Sequence, residues 1–439
     1  MRFVLPSLLV LAQAAAAFSQ PVPTGKSSPI DLDLAKTYFA EAHRLAESDG
    51  GKLWGKSLAG PLLFVEPRTR FAVANQADAE RNLTPAGGLF VGTLPQSVPL
   101  ASTAYRWAGT HWSMILWPLP DDKAERSVTL MHESWHRIQT DLGLPTNDPT
   151  NVHLDTLPGR YWLQLEWRAL ARALGSTSQE QSRAMEDALR FREFRRGLFQ
   201  AARTDESKLE LNEGLAEYTG FKLSGLTDAE KRRLLIKHFE IYPTMFATYV
   251  RSFAYLTGPA YGLLLDQHAA GWLRKIKPGD DLAEVLAAAL GLKLMPQSEA
   301  AARQRAASYD GEKLWAAETA REEARVAKVA AFRRLLVDGP VLTLRLGKFQ
   351  MSFNPSQLVP LEGVGTVYPT LTVIGPWGKL DVHKAALITF DFKQVSVAAP
   401  FKAEATTLTG DGWELHLNAG WKAVNGNRKG DWRLLLGNK

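Results

Sequence analysis

Between Asp31 and Ser48 apolar side chains recur at three- and four-residue steps, which predicts a first helix. Short, turn-bounded apolar runs follow at Leu62 to Glu66, Phe71 to Ala74 and Leu89 to Gly92. Tyr105 to Ala108 and Trp112 to Trp117 then flank Gly109-Thr110-His111 as the arms of a hairpin would. These runs predict a small sheet ahead of the first long helix. From Ala124 the spacing becomes helical, with helices predicted at about 124–142, 157–174, 178–203, 206–224, 228–240 and 246–268. A further helix near 281–290 leads to a long charged one over roughly 297–336, which Asp338-Gly339-Pro340 stops. Beyond it alternation takes over: LTLRL, FQMSF, TLTVIG, ALITFDF, WELHL and DWRLLL predict at least six strands. The expected fold class is α+β. A mostly helical domain with a small N-terminal sheet covers 20–337 and ends in the connector helix, and an all-β domain, a sandwich or small barrel, covers 338–439.

The first nineteen residues read differently. Met1-Arg2 precedes an uncharged apolar run from Phe3 to Ala17, short for a bilayer crossing and followed by small residues. This is the pattern of a secretory signal peptide cut after Ala17 or Ser19, and it implies a secreted or periplasmic protein with no stable membrane insertion after cleavage. An uncleaved anchor is the other reading of the same run. The remaining length exceeds a usual single domain. The absence of cysteine excludes disulfides, thiolate chemistry and cysteine metal sites, so any metal must bind His, Asp or Glu. The formal charge of +6 comes from 52 basic and 46 acidic residues with no long basic run, so nucleic acid is not an expected partner.

Within the first long helix lies Met131-His132-Glu133-Ser134-Trp135-His136. A four-residue step puts both imidazoles on one helical face about one turn apart, where two nitrogens can share one tetrahedral ion. Glu133, beside the first of them, is positioned to take a proton from a metal-activated water. Random order of this composition would give roughly 0.02 such patterns, so coincidence is a poor account. A catalytic zinc wants a third protein ligand and an open position for water. Leu211-Asn212-Glu213-Gly214-Leu215-Ala216-Glu217-Tyr218 offers two carboxylates four apart on a predicted helix, one to bind metal and the other to orient a ligand histidine. Their apolar neighbours suggest packed surroundings in which an unpaired carboxylate is costly.

HESWH followed by NEGLAEY resembles the gluzincin metallopeptidases, the clan of thermolysin and the membrane alanyl aminopeptidases. The resemblance implies a zincin-like catalytic domain, one zinc ion, His132, His136 and Glu213 as ligands, Glu133 as general base and Glu217 as partner to a ligand histidine. Glu213 follows His136 by 77 positions, much more than is usual in those families, so extra helices must lie between. Tyr255-Leu256-Thr257-Gly258 is similar to the Tyr-x-x-Gly helix downstream of the zinc site in aminopeptidase-like members. By that likeness Tyr255 would donate to the oxyanion, with Tyr261 as the alternative donor. The Gly-Ala-Met-Glu-Asn segment of the aminopeptidases has no counterpart here, whereas the hairpin from Tyr105 to Leu119 sits, by order, where the family places the strand that pairs with an extended peptide.

His153, Arg160, Trp162, Glu166, Trp167 and Arg168 fall in the long insertion and read as a buried structural network; Glu166 and Arg168, two apart, do not face each other on a helix. His43, His111, His238, His268, His383 and His416 show no ligand spacing. The expected function is zinc-dependent hydrolysis of peptide bonds, with a peptide or protein as partner. The rivals are an exported zinc amidase or esterase with another acyl substrate, and an envelope binding protein with a vestigial metal site.

Overall fold

The computed structural model describes residues 28–354 and 358–437; the signal-peptide reading of the first nineteen falls outside them. By its contacts the chain divides into two compact units, one reaching Trp315 and the other beginning at Ala316. The fold class is α+β, a helical unit with a small N-terminal sheet and an all-β unit. Among the described residues no helix is long and apolar enough to cross a membrane.

The first unit opens with α1 (Leu32–Asp49) and the strands β1 (Leu62–Val65), β2 (Phe71–Ala74), β3 (Thr84–Ala86), β4 (Leu89–Thr93), β5 (Thr103–Trp107) and β6 (Thr110–Leu116). They form one sheet in the order β3-β4-β2-β1-β6-β5, in which β1 and β6 run parallel. The hairpin expected around Gly109 is β5–β6, turning at Ala108 and Gly109, both with positive φ. Alternation divides β1 between two cores. Leu62 and Phe64 face the helices, and Leu63 and Val65 pack with Ala72, Ala74, Trp112 and Met114 on the other face.

Helices follow: α2 (Lys123–Gln139), α3 (Leu157–Gly175), α4 (Ser178–Gly197), α5 (Ala202–Leu209), a π-helical turn Glu210–Gly214, α6 (Leu215–Leu223), α7 (Asp228–Met245), α8 (Ala254–His268), α9 (Leu282–Ala289), α10 (Glu299–Ala306) and α11 (Gly311–Arg333). Asp122 caps α2 by accepting from the Glu125 N–H at 3.0 Å. The buried Glu41 of α1 binds Arg126 Nε at 2.9 Å and the Ser127 hydroxyl at 2.7 Å, which ties the two helices together. The helix expected over 297–336 is two helices. Asp310 adopts φ 53°, and a Cβ on Gly311 would stand 2.7 Å from that of Ala306, so the chain bends there into α10 and α11. The unit boundary also falls inside α11 rather than after the connector, because Val329, Phe332 and Leu336 pack with Leu361, Val367 and Leu387 of the β unit.

The β unit contains β7 (Val341–Arg345), β8 (Gln350–Phe353), β9 (Val359–Leu361), β10 (Gly365–Tyr368), β11 (Leu371–Gly375), β12 (Gly378–Val382), β13 (Ala386–Thr389), β14 (Gln394–Ala398), β15 (Phe401–Glu404), β16 (Thr407–Gly410), β17 (Trp413–Leu417), β18 (Trp421–Asn425) and β19 (Trp432–Leu436). One sheet runs β18-β19-β7-β14-β13-β10-β9 and the other β15-β16-β17-β12-β11-β8. Leu342, Leu344, Val395 and Val397 of the first share a core with Val373, Leu380, Trp413 and Leu415 of the second. The unit is therefore a sandwich whose alternating residues meet face to face.

Candidate metal centre

The HESWH segment lies on the buried side of α2, where Leu130, Met131 and Trp135 are enclosed by the core. A four-residue step on a helix aligns His132 and His136, and their Nε2 atoms stand 3.1 Å apart. Glu213 arrives from the π-helical turn, with Oε2 3.6 Å from each Nε2. That turn separates neighbouring carboxylates: Glu210 faces Arg192 and Thr257 in the protein interior, and Glu213 faces the histidines. Glycines allow the close approach of the three helices involved. A Cβ on Gly220 of α6 would stand 2.6 Å from the Val128 carbonyl oxygen of α2, and one on Gly258 of α8 would stand 2.2 Å from Gly214 Cα.

Proton positions follow from the partners. Glu213 is held ionised: burial opposes the charge, but hydrogen bonds from the two histidines drive its pKa far below the usual carboxylate range. Its Oε1 accepts from Asn212 Nδ2 at 3.1 Å, Asn212 Oδ1 accepts from Gln139 Nε2 at 2.8 Å, and Gln139 Oε1 faces His136 Nδ1 at 2.9 Å. This chain assigns the His136 proton to Nδ1. His132 Nδ1 lies 2.7 Å from Glu217 Oε2 and donates there. With the Nδ1 protons so placed, both Nε2 atoms and Glu213 Oε2 converge on one space that suits a cation.

The donor spacing suits a small tetrahedral cation. An ion about 2.0–2.1 Å from tetrahedral donors spaces them about 3.3–3.4 Å apart, and the observed edges of 3.1, 3.6 and 3.6 Å bracket that value. Among the described residues this trio is the group of His, Asp and Glu whose ligand atoms lie close enough to hold a metal, all within 4.8 Å of one another. In the protein alone a proton takes the cation's part. Burial disfavours the His132 imidazolium, but Glu213 and Glu217 on its two nitrogens raise its pKa well above the ordinary value. A metal must displace that proton, so binding weakens in acid.

Glu133 is fully buried, and neither carboxylate oxygen has a hydrogen-bond partner. Burial raises its pKa, opposed by the two histidines and assisted by Glu213 and Glu217. A buried carboxylate with no partner is costly unless something else binds it. A cavity of about 540 Å³ is lined by His132, Glu133, Glu217 and Tyr255 among others.

Tyr255 is brought to the centre, its ring stacked on His132 with centroids 5.6 Å apart. Its hydroxyl donates to Glu213 Oε2 at 2.7 Å, so in this arrangement it steadies the carboxylate rather than pointing at an empty oxyanion position. Tyr261 is remote, its hydroxyl donating to Glu166 Oε1 at 2.8 Å. Glu166 in turn meets Arg195, which also binds Glu206, and Glu206 accepts from His153 at 2.8 Å. Of the insertion residues expected to form a buried structural network, Glu166 and His153 join this set of buried charges, whereas Arg168 is partly exposed and donates to the Tyr309 carbonyl at 2.7 Å. Gln139, Asn212 and Arg251 were not singled out from the sequence. Arg251 donates to Glu213 Oε1 at 3.3 Å and pairs with Asp148. The signal for Gln139, three residues after a candidate ligand, was on the same helix face; Arg251 comes from a loop that no spacing connects to α2.

Comparison with family models, with curated proteins and with solved structures finds no match. The functional reading therefore rests on the chemistry of the centre itself.

Proposed function

We propose that the protein is a zinc-dependent metallopeptidase, with His132, His136 and Glu213 as the metal ligands and Glu133 as the general base. The observation that carries the reading is the convergence of His132 Nε2, His136 Nε2 and Glu213 Oε2 beside Glu133, a buried carboxylate with no hydrogen-bond partner at the edge of a cavity. Zinc bound there would polarise a scissile carbonyl and lower the pKa of its water. Glu133 accepts a proton from the attacking water and returns it to the leaving nitrogen, a task suited to a carboxylate whose pKa burial has raised. Glu217 and the Gln139–Asn212 pair hold the histidines in the tautomer that exposes Nε2. Tyr255 and Arg251 hold the Glu213 carboxylate from its two oxygens.

The test begins with elemental analysis of dialysed protein. One zinc per wild-type chain is expected, lost in His132→Ala and in Glu213→Ala. Glu133→Gln is expected to retain zinc while hydrolysis of a mixed peptide library falls about 10²–10⁴-fold. Wild type without zinc, or Glu133→Gln with wild-type turnover, would overturn the proposal. Ester and non-peptide amide substrates run alongside separate a peptidase from the other zinc hydrolases.

A further inference from the structure

The cavity has a second end. On α2 it is lined by Glu125, Val128, Thr129, His132 and Glu133, a spacing of i, i+3, i+4, i+7 and i+8 that makes one continuous face. Across from it the cavity is lined by His238, Ile241, Tyr242 and Met245 of α7 and by Phe246 just after it, the same sequence spacing. The groove between these faces therefore runs from the metal centre towards Glu125, which precedes His132 by seven residues, or about 10 Å along the helix axis. Trp117 and Leu119 contribute further apolar wall.

The charge of this groove is one-sided. Glu125, Glu133 and Glu217 line it, and among the described lining residues there is no lysine or arginine, although the whole chain carries a formal +6. Glu133 and Glu217 stand beside the histidines and are matched by the metal centre. Glu125 is the excess. Its Oε1 receives His238 Nε2 at 2.8 Å, its Oε2 has no hydrogen-bond partner among the described residues, and its side chain keeps 34% of its exposure. His238 is itself buried, and its ring is held between Tyr242, stacked at 5.2 Å, and the edge of Phe221. The carboxylate at the far end is thus fixed in place by a buried partner while one oxygen remains available.

We propose that this groove selects a substrate side chain with an apolar stem and a cationic tip, of the lysine or arginine type, whose stem lies along Val128, Tyr242 and Met245 and whose head binds Glu125. The inference rests on the peptidase reading of the metal centre and adds the substrate class to it. A four-carbon lysine stem buries against apolar walls while its ammonium needs an acceptor, and the groove offers both in sequence from the centre outwards. A neutral stem of the same length would gain the walls without the charge-assisted bond.

The experiment uses capped tripeptides Ala-Xaa-Ala with lysine, norleucine or alanine at Xaa, tested on the full-length zinc-loaded protein. Wild type is expected to favour lysine over norleucine by about tenfold or more in kcat/KM, and Glu125→Gln to bring that ratio close to one. Met245→Trp, at a half-exposed position, should narrow the groove and weaken lysine and norleucine alike relative to alanine. Equal use of lysine and norleucine by wild type, or a lysine preference that survives Glu125→Gln, overturns the inference and leaves the peptidase standing. If zinc is bound but nothing is cleaved, or if no zinc is bound, the peptidase reading fails on its own. The same peptides are then titrated against the protein by calorimetry, where a lysine preference abolished by Glu125→Gln supports the groove and its absence sinks it.

Discussion

Glu217 and Tyr255 act on the same ligand set from opposite sides, so their loss should be felt in the metal before it is felt anywhere else. Glu217 accepts a hydrogen bond from His132 Nδ1 at 2.7 Å, and the Tyr255 hydroxyl donates one to Glu213 Oε2 at the same distance. Glu217→Ala leaves a buried imidazole N–H without its acceptor and frees the ring to rotate or change tautomer. Zinc affinity is expected to fall about 10–100-fold, read by competition with a chromogenic chelator. Tyr255→Phe removes the donor but keeps the stacked ring, and a loss of affinity in the same range is expected. If Tyr255→Phe instead kept full affinity and lost turnover at saturating zinc, its proton would belong to the substrate, the role its resemblance to the Tyr-x-x-Gly helix implies. Some of this centre was legible in the sequence because helical periodicity alone ties His132 to His136 and Glu213 to Glu217. Gln139, Asn212 and Arg251 were not, since their role depends on which loops and helices meet, and that is settled by packing.

At the scale of elements, the long insertion between the two motifs is built around a buried charge network. Arg192, Arg195 and Arg196 on α4 are buried against Glu166 of α3, Glu206 of α5, Glu210 of the π-helical turn and Asp281 before α9. Charges taken out of water add little net stability as a set, because desolvation offsets their attraction, but removing one partner leaves an uncompensated buried charge and is severely destabilising. Arg195→Met is therefore expected to cost about 3–5 kcal/mol in denaturant unfolding, with loss of zinc binding only through loss of the fold. The network also fixes an acid limit. Burial raises Glu206, but Arg195 and Arg196 outweigh it and hold the pKa well below the ordinary carboxylate value; Asp281 is likewise depressed, by Arg196 and Arg192 against burial. Because the folded values lie below the unfolded ones, near about 4.3 for Glu and 3.9 for Asp, the unfolded chain binds these protons first. Their stabilisation is complete above the unfolded values and is lost as pH falls towards the folded ones. Urea midpoints measured from pH 7 to pH 3 should decline below about pH 4–5, and a flat profile would show that the network contributes nothing. The sequence announced acidic and basic residues in this insertion, but Glu166 and Arg168, two positions apart, could only be excluded as partners; Arg195 as the true partner needed α3 and α4 packed together. The break at Asp310 was hidden for a related reason, since charged alanine-rich sequence satisfies helical periodicity on either side of a bend.

For the whole molecule, the decisive feature is that the apolar clusters respect the unit boundary. The helices share one core, with a second under the outer face of the N-terminal sheet, whereas the sandwich is filled by Leu342, Val373, Trp377, Val395 and Leu415 and their neighbours. All-β alternation after Pro340 made that division visible in the sequence, although the end of α11 belongs with the strands. Cores that do not share residues can melt separately, and the proposed metal ligands His132, His136 and Glu213 all lie in the first unit. Scanning calorimetry is therefore expected to resolve two transitions, one of which shifts when zinc is removed. Metal bound to the folded state alone contributes RT ln(1 + [Zn]/Kd), about 2.7 kcal/mol when zinc is at a hundred times Kd. EDTA should lower the transition of the helical unit and leave that of the sandwich in place, and restoring zinc should reverse the change. His132→Ala should show the low transition from the start and no response to EDTA. A single transition that moved as a whole would mean that the two cores unfold as one cooperative body, and a chelator without effect on either would remove the metal from the account of this fold.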